Sequence, residues 1–518
     1  MGTTTSTFRH TAIYSAGTVV GKLVSFVLLP VYSRIFGTAG YGVIGMMDAA
    51  TGLLGVLLAR GFYAAIIKSY HDTPEEKDKG AVLWTGIALV LVQAAILLPL
   101  PLALSPTLSR WLFGTAEYHY VVILSLVSLA MSVLGSAAGM YLIIHQRSVT
   151  YALVGLGKLV FGLTSTILLV LVFRMGLFGV FAAGLVTEFL WAMTLLIFLL
   201  RRHPISLNRR VARELVSYQW PLIPGDLISF TARQAERVLL RVLDNLQSVG
   251  ILEIGYKFPP LIGLLVTEPF LQAWRTKSME LGHREDGGKV IGEMFTNYIF
   301  VAMLAGLLLA ANLDTLLRLL TPEEFWGAAM IGRLGIMSTI LTGTFAYLEF
   351  GLLFTRRTRT LSVITSVKAV VKLGLSYFFI SHWGLRGAAL SAVVTDLIAV
   401  VWVFRAAQHA YRIEMEWRRV LTIGSAAVLL FIGVHFGADH VARAAEALAR
   451  PLYAYAASHL SAGAGGLVTL ERITEVVSLA LDSAIIALYL LLAPYVRPEI
   501  LELRGRFSLT RLQRIWRP

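Results

Sequence analysis

The chain has 518 residues, of which 57% are hydrophobic and only 15% charged, and its mean hydropathy is +0.72. Soluble domains carry about 25% charged residues, so soluble enzymes, DNA-binding modules and disordered chains are excluded. The net charge of +14 must be read by position relative to a bilayer, and no nucleic-acid partner is expected. The absence of cysteine excludes disulfides and thiolate metal sites.

Apolar stretches of about 20 residues, the length that crosses a ~30 Å hydrocarbon core, recur from end to end. Met1 to His10 is polar with a lone Arg9, and the apolar run behind it reaches Phe36. That is too long for a signal-peptide core and lacks a small-residue cleavage site, so it reads as a retained first span. Hydropathy places spans near 11–36, 40–66, 80–104, 118–144, 150–173, 177–200, 217–243, 250–274, 292–312, 327–354, 360–380, 386–405, 420–437 and 475–495. The expected fold is an all-α polytopic membrane protein with about 14 transmembrane helices. Barrel strands are disfavoured, because they would alternate apolar and polar residues.

Lys and Arg crowd alternate loops. Arg201, Arg202, Arg209, Arg210 and Arg213 share one side with Arg275 to Lys289, Arg356 to Arg359, Arg405 to Arg419 and the tail from Arg497 to Arg517. The positive-inside bias puts that side, and both termini, in the cytoplasm. In the tail, Leu501, Leu503, Phe507, Leu512 and Ile515 alternate with Arg504, Arg506, Arg511 and Arg514. This fits either a basic interfacial helix on anionic lipid or a solvated extension.

One offset of 208 residues aligns several segments. Gly176-Leu177-Phe178-Gly179 falls on Gly384-Leu385-Arg386-Gly387, Val186-Thr187-Glu188 on Val394-Thr395-Asp396, and Leu53–Leu57 on Leu261–Leu265. Gly42, Arg110 and Gly135 fall on Gly250, Arg318 and Gly343. A shared offset points to a duplication of six spans, an even number, so the copies keep one membrane orientation and relate by an axis along the membrane normal. The expectation is two parallel six-helix lobes, 8–203 and 216–411, around a central cavity. An extra helix pair over 420–495, with an external loop 438–473, and a basic cytoplasmic tail 497–518 complete the chain.

Ionisable side chains inside a span cost several kcal/mol unless they face protein or water. The cations are Lys22, Arg60, Lys158, Arg233, Arg237, Lys257, Arg333, Lys368 and Lys372, and the acids include Asp48, Glu188, Asp226, Glu236, Glu253, Glu268, Glu349, Asp396 and Asp482. Arg233 and Arg237 share a helix face, as do Lys368 and Lys372. Such like-charged pairs point to a hydrated cavity that receives an anion; the alternative is neutralisation by neighbours such as Glu236. Glu188 and Asp396 hold equivalent positions and read as structural. Asp48 is the better candidate for coupling H⁺ or Na⁺, with structural pairing as its alternative.

Soluble-enzyme motifs are absent. Gly17 to Leu23 is one residue short of a phosphate loop, lacks the Ser or Thr after the lysine and sits inside a span. The 11 histidines show no zinc-ligand spacing, and neither a metal nor a cofactor is expected.

Leu28-Leu29-Pro30-Val31-Tyr32-Ser33-Arg34-Ile35-Phe36-Gly37, followed by Ala39-Gly40-Tyr41-Gly42, resembles the opening of polysaccharide-biosynthesis flippases. Trp220-Pro221-Leu222-Ile223-Pro224-Gly225 leading to Glu236-Arg237, and Val249-Gly250-Ile251 with Gly255-Tyr256-Lys257, are similar to later segments of that family. The family is the Wzx-like branch of the multidrug/oligosaccharidyl-lipid/polysaccharide exporter superfamily, and the resemblance covers roughly residues 8–436. It implies two six-helix bundles with a cationic lumen, in a non-enzymatic flippase of the bacterial inner membrane. Its substrate would be an undecaprenyl-pyrophosphate-linked oligosaccharide, and its partners membrane lipids and polysaccharide polymerase and assembly proteins. Pyrophosphate needs charge-assisted hydrogen bonds, which Lys22, Arg60, Arg233, Arg237, Lys368 and Lys372 would supply, with Asp48 and Glu236 as coupling groups or charge partners. A cation-coupled drug or small-molecule antiporter is the alternative reading. A glycan polymerase or ligase fits less well, because the Ala-rich loop 438–473 offers little for catalysis.

Overall fold

A computed structural model describes residues 26, 28–59, 62–436, 443–452, 469–487 and 489. Every regular element among them is helical. Among the described residues nine segments are long and apolar enough to cross a bilayer: Leu29–Asp72, Asp78–Ala103, His119–Ile144, Val149–Val172, Gly176–Leu200, Leu246–Leu281, Gly287–Ala311, Glu323–Phe354 and Thr358–Ala410. The protein is therefore a multi-pass membrane protein.

Several of the 14 expected spans join into one segment or carry too much charge to qualify separately among the described residues. Two of the nine segments change direction at a glycine with left-handed backbone, Gly37 (φ 60°) in Leu29–Ala59 and Gly384 (φ 50°) in Thr358–Ala410. Only glycine adopts that conformation without steric cost, so predicted spans 360–380 and 386–405 are two helices that meet at the Gly384 kink without an intervening loop and form a single segment, Thr358–Ala410. Other predicted spans are helices too charged to count by composition: Ile223–Leu243 holds Asp226, Arg233, Glu236, Arg237 and Arg241, and Leu470–Ala487 holds Glu471, Arg472, Glu475 and Asp482. The predicted span 217–243 begins later than expected, because Trp220–Leu222 is a 3₁₀ turn after a separate amphipathic helix, Arg209–Gln219. Of the predicted loop 438–473, residues 443–452 form a helix. The first 25 residues and the basic tail lie outside the described residues.

The described residues divide into two compact units, the first within Met1–Glu253 plus Ser376–Leu385, the second within Ile254–Leu375 plus Arg386–Pro518. In the first, helix His119–Ile144 packs along Gly176–Leu200. Gly135 lies against Trp191 and Ala192, and Gly139 against Leu195, the small-residue contact that lets membrane helices approach closely. Val149–Val172 turns most of its apolar side chains outward, with Leu153 63% and Val160 58% exposed. Lipid, and not water, suits that face. The second unit has an aromatic centre in which Trp274 stacks on Tyr347 at 4.1 Å. The Tyr347 hydroxyl donates to the Ile291 carbonyl at 2.7 Å, satisfying a polar group that burial would otherwise penalise.

Several local geometries recur at aligned positions. Gly176 and Gly384 are both left-handed, with φ 57° and 50°. Gln146 and Arg356 are left-handed non-glycine residues, with φ 52° and 58°. Each ends a helix by the same six-to-one bond, Arg147 N–H to Leu142 O at 2.9 Å and Arg357 N–H to Leu352 O at 2.8 Å. These caps are 210 residues apart, whereas the glycines are 208 apart. The two extra residues fall where the first segment has a π turn, Leu168–Val172, and a short link before Gly176.

One tight helix crossing in the first unit is reciprocal. A Cβ on Gly42 would strike the Leu246 carbonyl, and a Cβ on Gly250 would strike the Thr38 carbonyl. Thr38 and Leu246 are themselves related by the 208-residue offset, so each partner offers the other the same surface. Gly250→Val should cost at least about 1–3 kcal/mol, the penalty of overpacking, and lower the melting temperature of the purified protein in detergent. Gly155→Ala, where a Cβ meets nothing within 4 Å, should leave it unchanged or slightly raised. Equal behaviour of the two variants would show that the crossing is not tight.

Candidate functional site

The charged helix Ile223–Leu243 starts with Pro224 in its first turn and Asp226 near its positive end, both favourable there. Its inner face is Ala232, Ala235, Glu236 and Leu240, with Glu236 only 1% exposed. It packs against Leu29–Ala59, where glycines make room: a Cβ on Gly45 would overlap the Glu253 side chain, and one on Gly52 the Phe230 ring. Asp48 lies between those glycines on the same helix face and is exposed.

Arg237 is held by three side-chain hydrogen bonds. Its Nε and Nη2 both donate to the Glu253 carboxylate, a two-pronged ion pair, and its Nη1 donates to Gln234 Oε1 at 2.6 Å. The two side chains are 18% and 16% exposed, so the pair is largely screened from water. Arg233 is exposed, with its guanidinium carbon 5.7 Å from the Phe230 ring centroid, a cation–π distance. Arg241 Nε donates to the Leu112 carbonyl at 2.9 Å and fixes the turn at Gly114.

In the second unit, Lys368 pairs with Asp396 at 2.7 Å and lies 5.2 Å from the Phe345 ring centroid. Asp396 also accepts from Ser338 and, at 3.4 Å, from Thr342. Lys372, one turn further on, is half-buried. The same lysine-to-acid link occurs in the first unit, where Lys158 pairs with Glu188 at 2.7 Å. Glu188 and Asp396 thus each bind a lysine of the preceding span. Lys22 and Arg60 lie outside the described residues.

A cavity of about 640 Å³ in the first unit holds none of the predicted site residues. Its charged lining is Lys68, Arg210, Asp72, Asp78 and Glu214, with Lys68 paired to Asp72 and Arg210 to Glu214. Acids outnumber bases there, which disfavours an anionic ligand. Among the described residues no group of three or more His, Cys, Asp or Glu side chains has metal-binding geometry.

The sequence profile described as "Polysaccharide biosynthesis protein" matches residues 8–274. The chain belongs to that family. This member's fold is similar to "Lipid II flippase MurJ, inward closed conformation", with a TM-score of 0.70 at 13% identity, covering 94% of this chain and all of that one. It is also similar to an inward-facing multidrug resistance MATE family transporter of the MOP superfamily, with a TM-score of 0.58 at 14% identity, covering 78% and 96%. No curated protein sequence matches it. The polysaccharide biosynthesis protein thus has the fold of these transporters.

Sequence spacing grouped Arg233 with Arg237 but did not identify Glu253 as the partner, because the two residues lie on successive helices. The signal was present in Gly45: only a position without a side chain leaves room there for Glu253.

Proposed function

We propose that this polysaccharide biosynthesis protein translocates a polyprenyl-pyrophosphate-linked oligosaccharide across the bacterial inner membrane, with both termini in the cytoplasm. The observation that carries this reading is the charged helix Ile223–Leu243 of a multi-pass family member, which displays Arg233 beside the Arg237–Glu253 pair. Pyrophosphate is prohibitive in hydrocarbon, and guanidinium and ammonium groups offer it short charge-assisted bonds. In the first unit Arg237 would exchange its carboxylate for phosphate with Arg233 beside it, and in the second unit Lys368 would do the same with Lys372; Lys22 and Arg60 are further candidate phosphate ligands. The halves 8–203 and 216–411 act as the two lobes of this carrier, and the glycan passes to polymerase and assembly partners. Similarity in fold to a lipid II flippase supports the substrate class.

The second reading is a cation-coupled antiporter. Similarity to the MATE fold and the acids Asp48 and Glu253 on adjoining helices favour it. Proteoliposomes loaded with a fluorescent polyprenyl-pyrophosphate oligosaccharide separate the two. The flippase should expose the glycan to an external, membrane-impermeant glycosidase at least tenfold faster than protein-free vesicles. No acceleration, together with cation-driven efflux of an organic dye, would establish the antiporter.

A further inference from the structure

The helix Leu470–Ala487 packs in the second unit against Gly287–Ala311, Leu313–Leu320 and Trp417–Phe436. It carries Asp482, which is 7% exposed, beside a corner at Asn312, which is 5% exposed. The Asn312 amide donates to the Leu308 carbonyl at 2.8 Å and to Ser483 Oγ at 3.3 Å, so both its hydrogens are used. Its Oδ1 is buried and accepts nothing, and the same holds for Asp482 Oδ1. Two buried acceptors next to one helix therefore lack a donor, which leaves their desolvation uncompensated.

Among the described residues the charges around them do not supply one. Asp314 acts on Asp482 with a like charge, and Arg333 is engaged by Asp314 and by the Ala310 carbonyl at 3.0 Å. Arg318 stands over Trp326, 5.0 Å from its centroid. Lys289 and Glu293 lie at the far end of Gly287–Ala311, and Arg418 and Arg419 at the start of Trp417–Phe436. Glu475 is two turns before Asp482 on its own helix.

A single proton resolves the arrangement. On Asp482 it removes a charge that the apolar surroundings and Asp314 oppose, and it creates an O–H donor where Asn312 offers an acceptor. We propose that Asp482 and Asn312 form a proton-binding site, in which the protonated Asp482 carboxyl donates to Asn312 Oδ1. The ligand is H⁺ taken from water, and the site is independent of which substrate the protein carries.

Carbodiimides attack protonated, membrane-buried carboxyls, so the full-length protein in nanodiscs is treated with dicyclohexylcarbodiimide from pH 5 to 9. Adducts are quantified by peptide mass spectrometry. Asp482 should be labelled at the acidic end of the series and lose labelling as pH rises, while ion-paired Asp314 stays unmodified. Asp314→Asn removes the repelling charge and should lower the midpoint by about one pH unit, whereas Arg333→Gln exposes that charge and should raise it. Asp482→Asn, an uncharged isostere, should keep the melting temperature and abolish the adduct. An Asp482 that stays unlabelled while other membrane carboxyls react would overturn the proposal. So would a midpoint indifferent to Asp314→Asn, or protection by Na⁺ at fixed pH, which would mark a metal-cation site.

Discussion

Arg237→Ala should lower both the membrane abundance and the transport activity of the protein, and adding Glu253→Gln should restore only the abundance. The single change leaves the Glu253 carboxylate, 16% exposed, without the guanidinium that neutralises it. Breaking one side of a buried pair costs about 3–5 kcal/mol, enough to deplete a protein whose total stability is only 5–15 kcal/mol. With both charges removed, that penalty disappears. What remains is the loss of a pyrophosphate ligand, about 1.5–3 kcal/mol for one charge-assisted bond, or a ten- to hundredfold loss of affinity. Arg233→Ala on the neutralised background should deepen the defect, because Arg233 lies one turn away on the same helix. The exposed control Arg209→Ala should change neither quantity. Surface-glycan complementation measured against immunoblotted membrane levels reads both. If Arg237→Ala/Glu253→Gln were abundant and fully active, the pair would be a structural clamp with no part in binding.

Much of the fold could be read from the chain because lipid imposes a simple rule: apolar runs of sufficient length form helices. The rule fails where charges are paid for by partners on other helices. Ile223–Leu243 carries five ionisable side chains and is too charged to qualify as a span by a strict limit on charge, although the hydropathy of the chain already placed a span over 217–243. Spacing along one helix shows which charges share a face, but it does not show which helix answers them. The links from Arg237 to Glu253 and from Lys368 to Asp396 therefore needed the packed structure. Gly384 illustrates the converse. Its alignment with Gly176 was visible in the sequence, whereas the left-handed backbone shared by both, which bends Thr358–Ala410, was not.

Lys368→Met/Asp396→Asn should be stable but impaired in transport, whereas the aligned pair change Lys158→Met/Glu188→Gln should be stable and active. Both ion pairs join a span to the next one at 2.7 Å, and each double change removes two opposite charges, so neither leaves an uncompensated ion. The difference lies in what stands nearby. Lys372 follows Lys368 by one turn, while the residue at the matching spacing after Lys158 is Gly162. Two lysines on one face are poised to hold a multiply charged pyrophosphate; one lysine bound to one acid forms a helix clamp. Asp396→Asn alone should be the most damaging change of the series for folding, since it leaves the Lys368 ammonium without its carboxylate, at a cost of about 3–5 kcal/mol. The loss should be rescued by adding Lys368→Met. Transport by the two rescued doubles, normalised to membrane abundance, decides between the roles. A tenfold or greater deficit confined to the Lys368 double assigns that lysine to the substrate, while equal activity of the two makes both pairs clamps and moves the anion site to the Arg233–Arg237 face.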